Sequence, residues 1–181
     1  MKLNIGAGDT RYEGFLNVDY DARCNPDFQL DIEKDKLPVE DNTVEEVIAH
    51  HVLEHMGDGY FHCLQELYRV CKHGAIIDIR VPHCRHDYFL NDPTHRRPIT
   101  PEGLQLFSRK YNDECIEQGA AASRLGYYFG VDFEVVNVRN IPDDRYRTAF
   151  EGKPAEEVEQ YISERNNIIQ EVQIQLVVVK E

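Results

Sequence analysis

Residues 3–9 read Leu3-Asn4-Ile5-Gly6-Ala7-Gly8-Asp9, a short apolar run that breaks into two glycines and then an acid. Apolar runs of this length suit a parallel strand covered on both faces. Glycines directly after such a strand permit a tight turn and a close approach of backbone to a ligand, because no side chain intervenes. The pattern recurs downstream. Phe15–Val18 runs into Asp19, and Phe28–Leu30 runs into Asp31. Val44–Ala49 follows the turn-like Glu40-Asp41-Asn42, and Ala75–Val81 is ended by Pro82.

Between the fourth and fifth of these runs, Phe61, Leu64, Leu67, Tyr68 and Cys71 recur at helical spacing and form one apolar face. Lys72 and His73 fit its last turn and Gly74 its C-cap. Strand, helix, strand at this spacing is a βαβ unit. A second helix is expected to open at Thr100-Pro101-Glu102, with a capping Thr, a Pro at the first helical position and an acid in the first turn. Val131–Arg139 and Val172–Lys180 read as two late strands that add an antiparallel pair at the sheet edge. An acidic helix near Ala155–Arg165 separates them, with Val158, Tyr161 and Ile162 as its apolar face. The stretch 111–130 is ambiguous: a helix, then a Gly-rich turn at Leu125-Gly126-Tyr127.

In a doubly wound sheet, ligands sit beyond the carboxyl ends of the strands, where strand order reverses. Gly6 and Gly8, then Asp19 for the hydroxyls of a ribose, then Asp31 for the amine of an adenine, describe a nucleoside-shaped pocket. A dinucleotide needs Gly-x-Gly-x-x-Gly opening a helix toward the pyrophosphate. Here the third glycine position is Arg11, and the segment from Gly6 to Gly14 barely accommodates a helical crossover. The Gly-Lys-Ser/Thr of a P-loop does not follow the first strand either. These features disfavour a nicotinamide-dependent oxidoreductase and favour a nucleoside ligand without a pyrophosphate.

The 181 residues suit one domain, with 41% hydrophobic and 29% charged residues. A net charge of −13 and five cysteines, scattered and odd in number, argue against nonspecific nucleic-acid binding and against a disulfide framework. No apolar run approaches the ~20 residues of a membrane span, and the N-terminus lacks a signal-peptide pattern. The expected location is therefore cytoplasmic. Arg80, Arg85, Arg96 and Arg97, interleaved with His83, His86 and His95, form a local basic stretch able to receive a small anion.

The order Leu3-Asn4-Ile5-Gly6-Ala7-Gly8, Gly14-Phe15-Leu16-Asn17-Val18-Asp19, Pro26-Asp27, Asp31, Leu37-Pro38 and Val47 resembles the type 11 branch of class I S-adenosylmethionine-dependent methyltransferases. The resemblance continues through His51-Val52-Leu53-Glu54-His55, Leu67–Gly74, Val81-Pro82 and Asp92-Pro93-Thr94-His95, about the first 100 residues. It implies an α/β fold with a Rossmann-like, mostly parallel sheet and an antiparallel edge strand, in a three-layer sandwich with a helix-poor first half. Residues 1–82 would form the cofactor-binding half, and 83–181 the acceptor side. S-adenosylmethionine is the implied cofactor. By position, Gly6 and Gly8 would line its methionine, Asp19 its ribose, Asp31 and Ile32 its adenine. His51, Val52 and Leu53 would lie under the sulfonium, with Asn4, Ala7 and Tyr20 completing the set. Two departures stand out. The acid common two residues before the first glycine is Asn4, and the usual Lys-Pro-Gly-Gly is Lys72-His73-Gly74-Ala75.

Methyl transfer is a displacement driven mainly by alignment. A hydroxyl acceptor also needs a base, for which an imidazole is suited. His95 is the first candidate, then His51 and His55. His62, Cys63, Cys71, His73, His83, Cys84, His86 and His95 suggest zinc, but without a Cys-x-x-Cys pair the thiols read as core residues and no metal is expected. The expected acceptor is a small molecule, sugar or glycan. The amino-methylating Asn/Asp-Pro-Pro-Tyr/Phe motif is absent after the fourth strand, which disfavours nucleic acid. A catalytically silent cofactor- or nucleoside-binding regulatory protein is the alternative. The first strand begins without preceding lid helices and the loop after the fifth strand is short, so an open acceptor face is expected, suited to a large acceptor, a homodimer mate or a partner protein.

Overall fold

A computed structural model describes residues 1–180. In chain order the elements are β1 (Lys2–Ile5), β2 (Leu16–Asp19), β3 (Phe28–Gln29), β4 (Val44–His50), α1 (Tyr60–Val70), β5 (Cys71–Pro82), α2 (Asp87–Leu90), α3 (Pro101–Gln105), α4 (Arg109–Glu117), α5 (Leu125–Phe129), β6 (Phe133–Pro142), α6 (Ala155–Ser163) and β7 (Ile169–Val178). The strands form one sheet in the order β3-β2-β1-β4-β5-β7-β6. β1 to β5 pair in parallel, while β7 runs antiparallel to both β5 and β6, so the expected antiparallel pair stands at the edge. Strand order reverses between β1 and β4, which places the ligand crevice at their carboxyl ends.

The register sorts side chains by face. Leu3, Val47, Ile77 and Leu176 form one cross-strand row, and Ala49, Ile79 and Ile174 another. All seven are fully buried. Leu64 and Leu67 of α1 belong to the same core, and Phe61 stacks on Phe129 of α5 at 4.3 Å. The opposite face is mostly polar, carrying Lys2, Glu46, His50, Asp78, Arg80, Gln173 and Gln175 with Ile48, Ile76 and Val177 among them. Tyr12, in the loop after β1, hydrogen-bonds His50 there at 3.1 Å.

That polar face corrects one expectation. The helices packed closely on strands are α1 and α3, and α3 leads into Phe107, which meets Phe61 of α1. The described residues therefore form a helical layer and a sheet, not a three-layer sandwich. The short links 6–15 and 20–27, which make the first half helix-poor, hold no α-helix to cover the second face.

A second correction concerns the end of α1. Its C-cap is Cys71, which is already extended and opens β5. Gly74 instead lies inside β5 at φ +76°, next to a register shift opposite Val44 and Glu46. The chain passes from helix to strand without a turn, so no left-handed cap is required. Thr100 caps as expected, accepting from the Gly103 amide, but α3 is a single short turn. The ambiguous 111–130 stretch resolves into most of α4, then α5 with Gly130 as its left-handed C-cap.

Candidate functional site

The glycine turn after β1 is held from both sides. The amides of Gly6 and Ala7 donate to the Val18 carbonyl at 2.9 and 3.2 Å. Gly6 has φ +62°, and a Cβ there would lie 2.4 Å from Val52 Cγ2. Gly8 has φ +50° and nothing within 4 Å of where its Cβ would stand. Arg11, in the place of a third glycine, donates to the carbonyls of Gly8 and Thr10 and reaches the Cys24 and Asn25 carbonyls. It clamps the turn where a dinucleotide site would open a helix.

Asp19, 8% exposed, accepts from the Gly8 amide through Oδ2 at 2.8 Å and from the Asp21 amide through Oδ1 at 2.9 Å. Each carboxylate oxygen keeps a further lone pair. Asp31 lines the same cavity as Asp19 and is ion-paired to Lys34 at 2.6 Å, a contact that holds its carboxyl below the usual range. Gly6, Asp19, Tyr20, Asp31, Ile32, Val52 and His55 line one cavity, with Leu30 and Met56 as apolar walls. Asn4 lies elsewhere: it is buried and donates to the Thr10 carbonyl and to Asn17 Oδ1. Asp27 in turn accepts from Asn17, so this part of the motif shapes the loop.

Beyond β4 the chain turns sharply. His51 takes φ +53°, rare for a residue with a side chain. Its Nε2 meets Glu171 at 3.0 Å and its Nδ1 stands 3.5 Å from Glu54. These carboxylates, Glu54 foremost, lift its pKa. His55 and His95, far apart in sequence, lie with ring centroids 4.6 Å apart. Loop 92–97 docks onto the turn: the Arg96 amide donates to the Glu54 carbonyl, and Arg97 to the carbonyls of Met56 and Gly57. His51 and His95 line a second cavity of about 420 Å³ with Pro82, Tyr88, Gln170 and Glu171. The three candidate bases thus converge, with Leu53 fully buried beneath them.

Glu54 is the residue that sequence reasoning missed. It is 1% exposed, and neither carboxylate oxygen receives a hydrogen bond from a described residue. Glu33 was missed as well; its Oε2 accepts from the Gly57 and Gly59 amides and ties the link after β3 to the turn before α1. The expected basic stretch is dispersed. Arg80 stands on the polar sheet face near Asp78, Arg85 holds the carbonyls of Ile162 and Ser163, and Arg97 covers the Tyr60 ring. His86 is buried against Asp143 at 3.0 Å. All five cysteines are free thiols.

The sheet order, with its switch-point crevice and antiparallel edge, is the fold seen in solved class I S-adenosylmethionine-dependent methyltransferases. Residues 14–79 match the family described as methyltransferase domain. Solved structures with this fold include a SAM-dependent methyltransferase from Archaeoglobus fulgidus, at 21% identity and TM-score 0.62 over 97% of this chain and 85% of that one. The [4+2]-cyclase SpnF matches at 14% identity and TM-score 0.55, over 99% and 75%. A putative methyltransferase in complex with the Haloferax volcanii Trm112 activator gives 15% identity and TM-score 0.52, over 99% and 82%. No curated protein sequence matches the chain. Among the described residues no helix is long and apolar enough to cross a membrane.

Proposed function

We propose that the protein transfers a methyl group from S-adenosylmethionine to a small-molecule, sugar or glycan acceptor seated among His51, Tyr88, His95 and Glu171. The observation that carries this reading is that the nucleoside cleft and the histidine-lined cavity adjoin. His55 belongs to the first and His95 to the second, and their rings touch.

The residues fit the cofactor. The Gly8 amide orients Asp19, Asp19 retains acceptor lone pairs at the cleft, and Leu30 and Ile32 offer apolar walls to a base. The bound cofactor supplies an electrophilic methyl group. This chain's residues do the rest by orientation. For a hydroxyl acceptor, His95 is the first candidate base. Its Nδ1–H donates to the Phe89 carbonyl at 2.8 Å, which leaves a lone pair on Nε2. Residues 1–82 then serve the cofactor and the later residues the acceptor. Five free thiols favour a cytoplasmic setting.

Calorimetry with S-adenosylmethionine and S-adenosylhomocysteine, with NADH in parallel, tests the cleft. Micromolar adenosyl binding that weakens at least about tenfold in Asp19→Ala supports the reading, and preference for NADH sinks it. An acceptor screen by mass spectrometry tests transfer. Binding without any product would favour the second reading, a silent cofactor-binding subunit. Two structural neighbours favour keeping it: one is named a cyclase and one is bound to an activator.

A further inference from the structure

Glu54, His55 and His95 are three residues whose polar atoms demand a partner of one kind. Glu54 is buried, and its two oxygens go without a hydrogen bond among the described residues. An ionised carboxylate so placed is costly unless a cation meets it. The nearest side-chain base, His51 Nδ1 at 3.5 Å, is in ion-pair range but not aligned as a donor.

The tautomers of the two other histidines follow from their outer contacts. The Phe89 carbonyl only accepts, so His95 carries its proton on Nδ1 and presents a bare Nε2. At His55, Nδ1 meets Thr94 Oγ1 at 2.8 Å. The Thr94 hydroxyl spends its one proton on Asp92 Oδ1, 2.6 Å away, so its oxygen must accept from His55 Nδ1–H. His55 therefore also presents a bare Nε2. Two imidazole lone pairs and a carboxylate, all acceptors, are gathered with one potential ligand atom from each within 4.8 Å of the others. Such a cluster is mutually repulsive when empty and satisfied by a cation. Outer hydrogen bonds that fix ring orientation and basicity are what metal-ligating histidines ordinarily possess.

We propose that Glu54, His55 and His95 hold a divalent first-row transition-metal ion at the junction of the two cavities. Two nitrogens and one oxygen suit manganese, iron, cobalt, nickel or zinc better than magnesium or calcium. The ligands would draw inward to reach bonds of about 2.0–2.2 Å. Three protein ligands leave positions open toward the cavity that His51, Tyr88 and Glu171 line. Asp92 Oδ2, 3.9 Å from His95 Nε2, adds negative charge beside the ion. Where the methyl-transfer reading holds, an acceptor hydroxyl on an open position would be acidified by the ion, and the His95 lone pair would bind metal instead of a proton. The metal site itself stands without that reading.

The test uses the full chain without a histidine tag, stripped with a chelator, and titrated with zinc, manganese or cobalt chloride alone. One equivalent should bind saturably, cobalt should give a visible d–d spectrum, and the melting temperature should rise. His95→Gln and Glu54→Gln should each weaken binding at least about tenfold, while His62→Ala and His73→Ala leave it unchanged. Should Glu54→Gln fail to fold, His95→Gln carries the test. Absence of saturable binding up to millimolar metal, or equal binding by His95→Gln, overturns the site. Because S-adenosylmethionine is left out, failure here is distinguishable from failure of methyl transfer.

Discussion

Gly6 and Val52 stand so close that a methyl group on Gly6 would lie 2.4 Å from Cγ2 of Val52. The first residue sits in the glycine turn after β1 and the second follows β4, so the two sides of the switch point touch through hydrogen alone. Gly6→Ala adds left-handed strain to that collision and should cost about 2–4 kcal/mol, with loss of adenosyl-ligand binding. Combining it with Val52→Gly, which removes both Cγ2 and the Cβ that would stand 2.7 Å away, relieves the collision but not the strain. A double-mutant cycle by urea unfolding should show coupling of about 1 kcal/mol or more, and additive effects would disprove the contact.

Arg69 is tied to Glu66 through two nitrogens at 2.9 and 2.8 Å, and to the carbonyls of Leu37 and Val39. Glu66 is nearly buried and also receives the Leu37 amide. Arg69→Met strands that carboxylate and frees the link before β4. The expected loss is about 2–4 kcal/mol, below the range for a wholly buried pair because Arg69 is partly solvated. Thermal unfolding should read a fall of roughly 4–16 °C, and a fall under roughly 2 °C would show that solvent replaces the pair.

Asp143 accepts from the Arg145 side chain and amide and from His86, and Arg145 above all holds its carboxyl far below the ordinary range. A depressed folded-state pKa contributes stability that is present above the ordinary carboxylate value of about 3.9 and is lost as pH falls through the folded value. Asp143→Asn should therefore be less stable than the parent at pH 7. The gap should narrow steadily below about pH 4. A gap that stays constant on acidification would show that charge plays no part.

Cys63, Cys71 and Cys115 are buried, whereas Cys24 and Cys84 are half-buried. Burial pushes the Cys71 thiol up to about 12 and that of Cys63 higher still. Thiolate, not thiol, is the reactive form. A disulfide-exchange reagent at pH 8 should modify Cys24 and Cys84 in the native protein and all five in denaturant. Cys24 should be slowed because burial and nearby acids raise its pKa. Rapid modification of Cys63 would mean that α1 opens readily.

The glycine turn, Asp19 and the strand succession were legible because short apolar runs and residues without side chains leave marks that spacing alone reveals. Glu54 left none. Its burial comes from the turn at His51 and from loop 92–97 folding back on it, a contact across about forty residues with no periodicity to betray it. The pairing of His55 with His95 was hidden for the same reason, although both were candidate bases. The end of α1 misled because Cys71 continues its apolar spacing while already serving β5. Short links announced that the first half lacked helices. Their further consequence, an uncovered sheet face, required the register of four strands.

That uncovered face gives alternate residues of the central strands unequal freedom. Leu3, Val47, Ile77 and Leu176 answer to a packed interior, so almost any change among them is felt everywhere. Their neighbours Lys2, Glu46 and Gln175 look outward from the same backbone. The sheet thus offers a rigid display board. Charges, labels or tethers can be written on its outer rows in fixed geometry, with the switch-point cleft set at the strand ends and the hydrophobic interior on the reverse.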